Sequence, residues 1–144
     1  MIIAMKINTK IRYGLRMLLI LAETNGIMNT TDLGKKMMVS PKYLRKLAGS
    51  LEKFQLITSV QGIHGGYALK KKPEDLTIAS LFEAFDERIN ISGCFSDQNC
   101  TLNTHCMARP LWEYLDKMIK NEFYTITLRQ IIEGNFPKNA GSGS

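Results

Sequence analysis

The sequence lacks the features that would assign it to a membrane, a secretory route or a catalytic role. No apolar run approaches the ~20 residues needed to cross a bilayer. The opening Met1-Ile2-Ile3-Ala4-Met5 is too short for a signal peptide, and Met5 offers an alternative start. The apolar stretch around Leu18 belongs to an amphipathic pattern. The expected location is therefore the cytoplasm. Cysteine is scarce: there are three, an odd number, and a reducing compartment argues against a disulfide framework. No nucleophile–base pair or carboxylate pair occupies a credible site, so an enzyme is not expected. There is no internal repeat, and no low-complexity segment before Gly141-Ser142-Gly143-Ser144, which reads as a linker. With 144 residues, 44% of them hydrophobic and 22% charged, the chain suits one ordinary globular domain.

Acidic residues are nearly missing from one region. Between residues 30 and 72 the acids are Asp32 and Glu52, against Lys35, Lys36, Lys42, Arg45, Lys46, Lys53, Lys70, Lys71 and Lys72. Beyond Pro73 the balance turns acidic, although the whole chain carries a net charge of +6. A basic segment joined to an acidic remainder suggests one face for a polyanion, and a solvated lysine-rich surface is the plain alternative.

The order of motifs separates the two. A helix is expected over about residues 10–24, with Thr9 as its cap, Ile11, Leu15, Leu18, Leu19 and Ala22 inward, and Asn25-Gly26 at its end. A short helix comes next, capped by Thr30 or Thr31, with Leu33, Met37 and Met38 inward. Ser40 then caps a third helix with Pro41 in its first turn, where proline has no N–H to lose. That helix should reach Phe54, burying Tyr43, Leu44, Leu47 and Leu51 and exposing Lys42, Arg45 and Lys46. Helix, tight turn, helix is the helix-turn-helix arrangement, although an ordinary helical hairpin would share its spacing. The segment after the third helix favours DNA. Residues 56–60 and 67–70 read as two short strands joined by Gln61-Gly62-Ile63-His64-Gly65-Gly66, a glycine-rich hairpin directly after the candidate recognition helix. The pattern argues against a phosphate-cradling enzyme loop, because no helix starts after those glycines and the GxGxxG spacing is absent. Gln61, Gly62 and His64 are candidate contacts to the sugar–phosphate backbone or the minor groove. His64 reads equally well as a solvated loop residue.

After the hairpin, Thr77 caps a helix from Ile78 to about Phe85 with Leu81, Phe82 and Phe85 apolar. A longer helix spans about residues 108–123, with Leu111, Leu115, Met118 and Glu122 on one stripe and Trp112, Ile119 and Phe123 beside it. Such a face covers either a core or a second subunit. A final short helix covers residues 125–132 and ends at Gly134.

Between the helix at Ile78 and the longer helix lie all the cysteines: Cys94, Cys100 and Cys106, with five residues separating each pair. Thiolates suit iron–sulfur clusters, zinc or copper(I). Structural zinc sites usually pair cysteines two to four residues apart, so this wider loop suits a larger object. Three thiolates leave one position open. His105, a residue of a partner chain or solvent are the candidates.

With these motifs in place the chain resembles the Rrf-two family of small bacterial winged-helix regulators, which includes the iron–sulfur regulator IscR, the nitric-oxide sensor NsrR and the iron-responsive RirA. The resemblance runs from Met5 to about Gly134. It rests on Lys10-Ile11-Arg12-Tyr13-Gly14-Leu15-Arg16, Val39-Ser40-Pro41-Lys42-Tyr43-Leu44, the stretch from Leu56 to Tyr67, the cysteine trio, and Pro110-Leu111-Trp112. It implies a fold that is mainly α with a small β-hairpin wing: a winged helix-turn-helix plus a long C-terminal dimerisation helix. It implies a homodimer paired through that helix, one iron–sulfur cluster per subunit (2Fe-2S or 4Fe-4S) on Cys94, Cys100 and Cys106, and binding to near-palindromic promoter DNA. Ser40, Lys42, Tyr43, Arg45 and Lys46 would face DNA from the recognition helix, with Gln61, Gly62 and His64 in the wing. The expected layout is a DNA-binding domain over residues 5–72, a connecting helix and cysteine loop over 73–106, dimerisation and terminal helices over 107–134, and a disordered tail over 135–144.

The chain departs from the family pattern in three places. The IscR branch has a histidine three residues after the last cysteine, where Arg109 stands here. The NsrR branch can use a carboxylate from the partner's first helix, where this chain has Lys10, Arg12 and Arg16. Gln61 replaces the arginine common in the IscR wing. Two rival readings are a cluster-free thiol redox-switch regulator and a winged-helix module that binds a protein partner.

Overall fold

The computed structural model describes residues 7–89 and 106–136. Helix α1 (Thr9–Thr24) opens on Asn8, whose side chain accepts the Lys10 N–H, so the cap lies one residue before the expected Thr9. Asn25 closes it in the left-handed region (φ 51°). Its buried face holds Ile11, Gly14, Met17, Leu18 and Leu21, while Leu15, Leu19 and Ala22 are half-buried. The face is turned from the expected one because a distant aromatic residue packs on Gly14. A Cβ at Gly14 would fall 2.5 Å from the Phe85 ring.

Helix α2 (Thr30–Met37) is capped by Asn29, not by either threonine; its Oδ1 accepts the Asp32 N–H at 2.8 Å. Leu33 and Met37 are buried, but Met38 ends the helix at φ 56° and stands 89% exposed, against expectation. The left-handed turn there points its side chain away from the core. Helix α3 (Pro41–Lys53) starts as its sequence implies, with the Ser40 hydroxyl accepting the Tyr43 N–H at 3.1 Å. Leu44, Leu47, Ala48 and Leu51 are buried. Tyr43 is half-buried, edge-on to the Tyr13 ring with centroids 5.8 Å apart.

Gln55 (φ 61°) turns the chain into an antiparallel hairpin, β1 (Ile57–Val60) and β2 (Gly66–Leu69), in which Ile57 pairs with Leu69 and Val60 with Gly66. Met28 bridges Tyr67 through two backbone hydrogen bonds of 2.9 Å, so the hairpin is stitched to the segment between α1 and α2. After a 3-10 turn, Pro73–Asp75, comes α4 (Ile78–Ala84), capped by Thr77 and ended by Phe85. Helix α5 (Arg109–Thr125) packs on α4 through Phe82 and Phe123, with ring centroids 5.0 Å apart.

Helix α6 (Leu128–Glu133) starts later than residue 125. The carbonyl of Ile126 accepts from Ile78, the N–H of Leu128 donates to Leu76, and Thr127 with Gln130 forms a capping box. The arginine of α6 reaches the 3-10 turn, Arg129 Nε to Glu74 Oε1, at 2.7 Å. Leu128 joins the core formed by Ile11, Met17, Leu18, Leu21, Leu44, Leu47, Leu51, Leu56 and Leu81. The fold is thus a winged helix-turn-helix followed by a long helix. Among the described residues no helix is long and apolar enough to cross a membrane.

Candidate nucleic-acid interface and cysteine segment

Helix α3 buries one face completely, and this fixes what the other presents. Ser40, Lys42, Arg45 and Lys46 are exposed around its N-terminal half, with Tyr43 half-exposed beside them. Lys42, Arg45 and Lys46 make no ion pair among the described residues. Their charges therefore stay available to a polyanion.

The hairpin is tied to this helix. Ser59 Oγ donates to Glu52 Oε1 at 2.7 Å, joining β1 to the C-terminal turn of α3. Burial pushes the Tyr67 phenol above its usual range, Glu52 adds to the shift and Arg45 opposes it. Glu52 and Arg45, both on α3, thus lie within electrostatic reach of the second strand. At the tip, Gly62 (φ 109°) accepts the Gly65 N–H at 3.0 Å. A Cβ on Gly65 would fall 2.1 Å from the Val60 carbonyl oxygen. These glycines close a tight turn, with Gln61, Gly62 and His64 exposed as the sequence suggests. Between them stands a residue that no sequence signal singles out: Ile63, the most exposed large apolar side chain among the described residues at 98%.

Of the cysteine trio, Cys94 and Cys100 lie outside the described residues, as does His105. Cys106 is a half-buried free thiol whose carbonyl accepts the Arg109 N–H at 3.2 Å, on the turn that enters α5. Arg109 directs its Nε to Glu113 Oε1 at 2.9 Å. A guanidinium is a donor without a lone pair to offer a metal, so this position cannot play the part of a histidine ligand. On the other side of the loop, Glu87 Oε1 accepts from Asn8 Nδ2 at 2.8 Å and sits 3.5 Å from Lys10 Nζ. The chain entering the cysteine segment is therefore tied to the start of α1.

The apolar surface of α5 divides in two. Trp112, Leu115, Ile119 and Phe123 are half-buried, whereas Leu111, Tyr114 and Met118 are 50%, 61% and 49% exposed. The only buried residue of the helix is Asp116, whose Oδ2 meets Lys120 Nζ at 2.7 Å. A stripe at positions 111, 114 and 118 follows helical spacing and has no cover within the described residues.

A family model described as Rrf2, iron-dependent transcriptional regulator, matches residues 7–134. An HTH-type transcriptional regulator of Neisseria meningitidis is 32% identical over 142 residues, covering 97% of this chain and 94% of its own. The regulator IscR of Aliivibrio salmonicida is 29% identical over 133 residues, covering 91% of this chain and 79% of its own. Among solved structures, CymR, the global cysteine regulator of B. subtilis, superposes with a TM-score of 0.76 at 25% identity, covering 91% of this chain and 98% of that one.

Proposed function

The chain belongs to the Rrf2 family of DNA-binding transcriptional regulators, and from that membership we propose that it is a homodimeric, cluster-sensing repressor of near-palindromic promoters in the cytoplasm. The family is one of regulators and not of enzymes. The observation that carries the proposal is the position of Cys106, a free thiol immediately before the helix whose outer stripe is uncovered. Whatever binds that thiol lies next to the surface that would pair two copies.

The donor chemistry suits an iron–sulfur cluster. Three thiolates from one stretch are soft ligands, and the odd count leaves them unpaired with each other as a complete set. Cys94, Cys100 and Cys106 would hold it, with His105, a partner-chain residue or solvent completing the set. When bound, such a cluster supplies a centre whose state changes with iron, nitric oxide or oxidant. The chain itself supplies the relay. Asn8 and Lys10 hold Glu87, and Tyr13, one turn into α1, rests on Tyr43 at the start of the recognition helix. A shift of the loop would thus register at the residues that face DNA. Ser40, Lys42, Tyr43, Arg45 and Lys46 would enter the major groove, with Gln61, Gly62 and His64 beside it.

Protein isolated without oxygen tests this. The expected result is a coloured protein with iron and sulfide, which loses both when Cys94, Cys100 and Cys106 are replaced by serine and then binds promoter DNA with altered affinity. A colourless protein with reactive thiols would instead favour the thiol switch, a reading in keeping with the structural likeness to the oxidized form of CymR from Staphylococcus aureus. Pairing through α5 has its own check. Met118→Glu places a charge in the uncovered stripe and should weaken self-association roughly 30-fold, about 2 kcal/mol, by sedimentation equilibrium. A monomeric wild type, or an unchanged dimer in the variant, would refute pairing by this face.

A further inference from the structure

Ile63 stands 98% exposed at the tip of the hairpin, where an apolar side chain gains nothing from the folded monomer. None of the described residues covers it. The Gly65 N–H to Gly62 carbonyl bond closes the turn, and Gly65 has its backbone against Val60, so the tip has no room to fold back. A β-branched side chain is also stiff about its first torsion, so little freedom is lost if it is clamped. Polar Gln61 and His64 flank it, and the exposed Lys70, Lys71 and Lys72 come just after the second strand. A narrow apolar tip with cations at its base matches one feature of duplex DNA. The minor groove is ~6 Å wide, has sugar C–H walls between two rows of phosphates, and bears an amino group on its floor only where guanine stands.

We propose that Ile63 enters the minor groove beside the site read by α3 and selects against guanine there. The inference rests on the reading of the hairpin as a DNA-facing wing. It adds a specificity-determining side chain that works by apolar contact and by exclusion of the guanine amino group. Phosphate binding is left to the lysines.

The test uses full-length protein and short duplexes that it selects from a randomised pool. Ile63→Ala should bind about 10-fold more weakly with an unchanged dependence on salt, since buried apolar groups are lost and no phosphate contact is. Guanine at the wing-contacted pairs should weaken the wild type, and inosine, which lacks the amino group, should restore it. In Ile63→Ala the difference between guanine and inosine should nearly vanish. The proposal is overturned if Ile63→Ala matches the wild type in affinity and discrimination while Gln61→Ala/His64→Ala binds more weakly. If both variants bind as the wild type does, the wing reading falls with it.

Discussion

Replacing Lys42, Arg45 and Lys46 together by alanine will weaken promoter binding about 1000-fold near ~0.15 M salt and leave the fold in place. All three side chains are exposed on α3 and make no ion pair among the described residues, so their removal breaks no salt bridge there. Each lysine that neutralises a phosphate contributes roughly 0.9 to the slope of log affinity against log salt. An arginine on a base edge contributes roughly 1–3 kcal/mol. Together these reach about 4 kcal/mol, which is about three powers of ten in affinity. Fluorescence anisotropy at several salt concentrations measures both parts. A loss under tenfold with an unchanged slope would show that another face grips the duplex.

Gly66→Ala will destabilise the protein by about 3 kcal/mol and lower its melting temperature by roughly 10 °C. The added Cβ would lie 2.1 Å from the Met28 carbonyl oxygen. Relief requires the hairpin and the segment before α2 to part, and those segments exchange two backbone hydrogen bonds of 2.9 Å between Met28 and Tyr67. Both partners are main chain, so no side-chain rotation can absorb the clash. Gly62→Ala provides the contrast: φ is 109° there, but open space surrounds the position, so strain alone should cost about 1 kcal/mol. Urea unfolding of the two variants decides. Equal stabilities, or a Gly66 variant as stable as the wild type, would contradict the stitched hairpin.

Local signals carried much of the architecture. Ser40 and Pro41 mark the start of α3 because cap and first-turn proline are chemistry confined to a few neighbouring residues. The glycines of the tip mark the wing for the same reason. Where sequence and structure part, partners distant along the chain decide. Phe85 settles on Gly14 and turns the buried face of α1, and the Met28–Tyr67 bridge sets the chain path into Asn29, ahead of two equally good threonine caps. Leu76 and Ile78 claim the backbone around Ile126 and Leu128, which delays α6. The wide apolar face of α5 divides because α4, only 7 residues long, covers one side of it. The exposure of Lys42, Arg45 and Lys46 was legible from spacing on α3. Ile63 was not, since an isoleucine among turn residues looks like filler until its exposure is known.

Helix α5 has the proportions of a pointer. At 17 residues it is ~25 Å long. Among the described residues, its ring contact and hydrogen bonds to α4, Phe123 on Phe82, Tyr124 on Glu83 and the Ile78 N–H to the Ile126 carbonyl, lie at the C-terminal end. A tilt of ~10° about that anchored end would carry the turn bearing Cys106 through ~4 Å, the product of the angle and the helix length. The end remote from the pivot sweeps the larger arc, and it is the end that carries the sulfur.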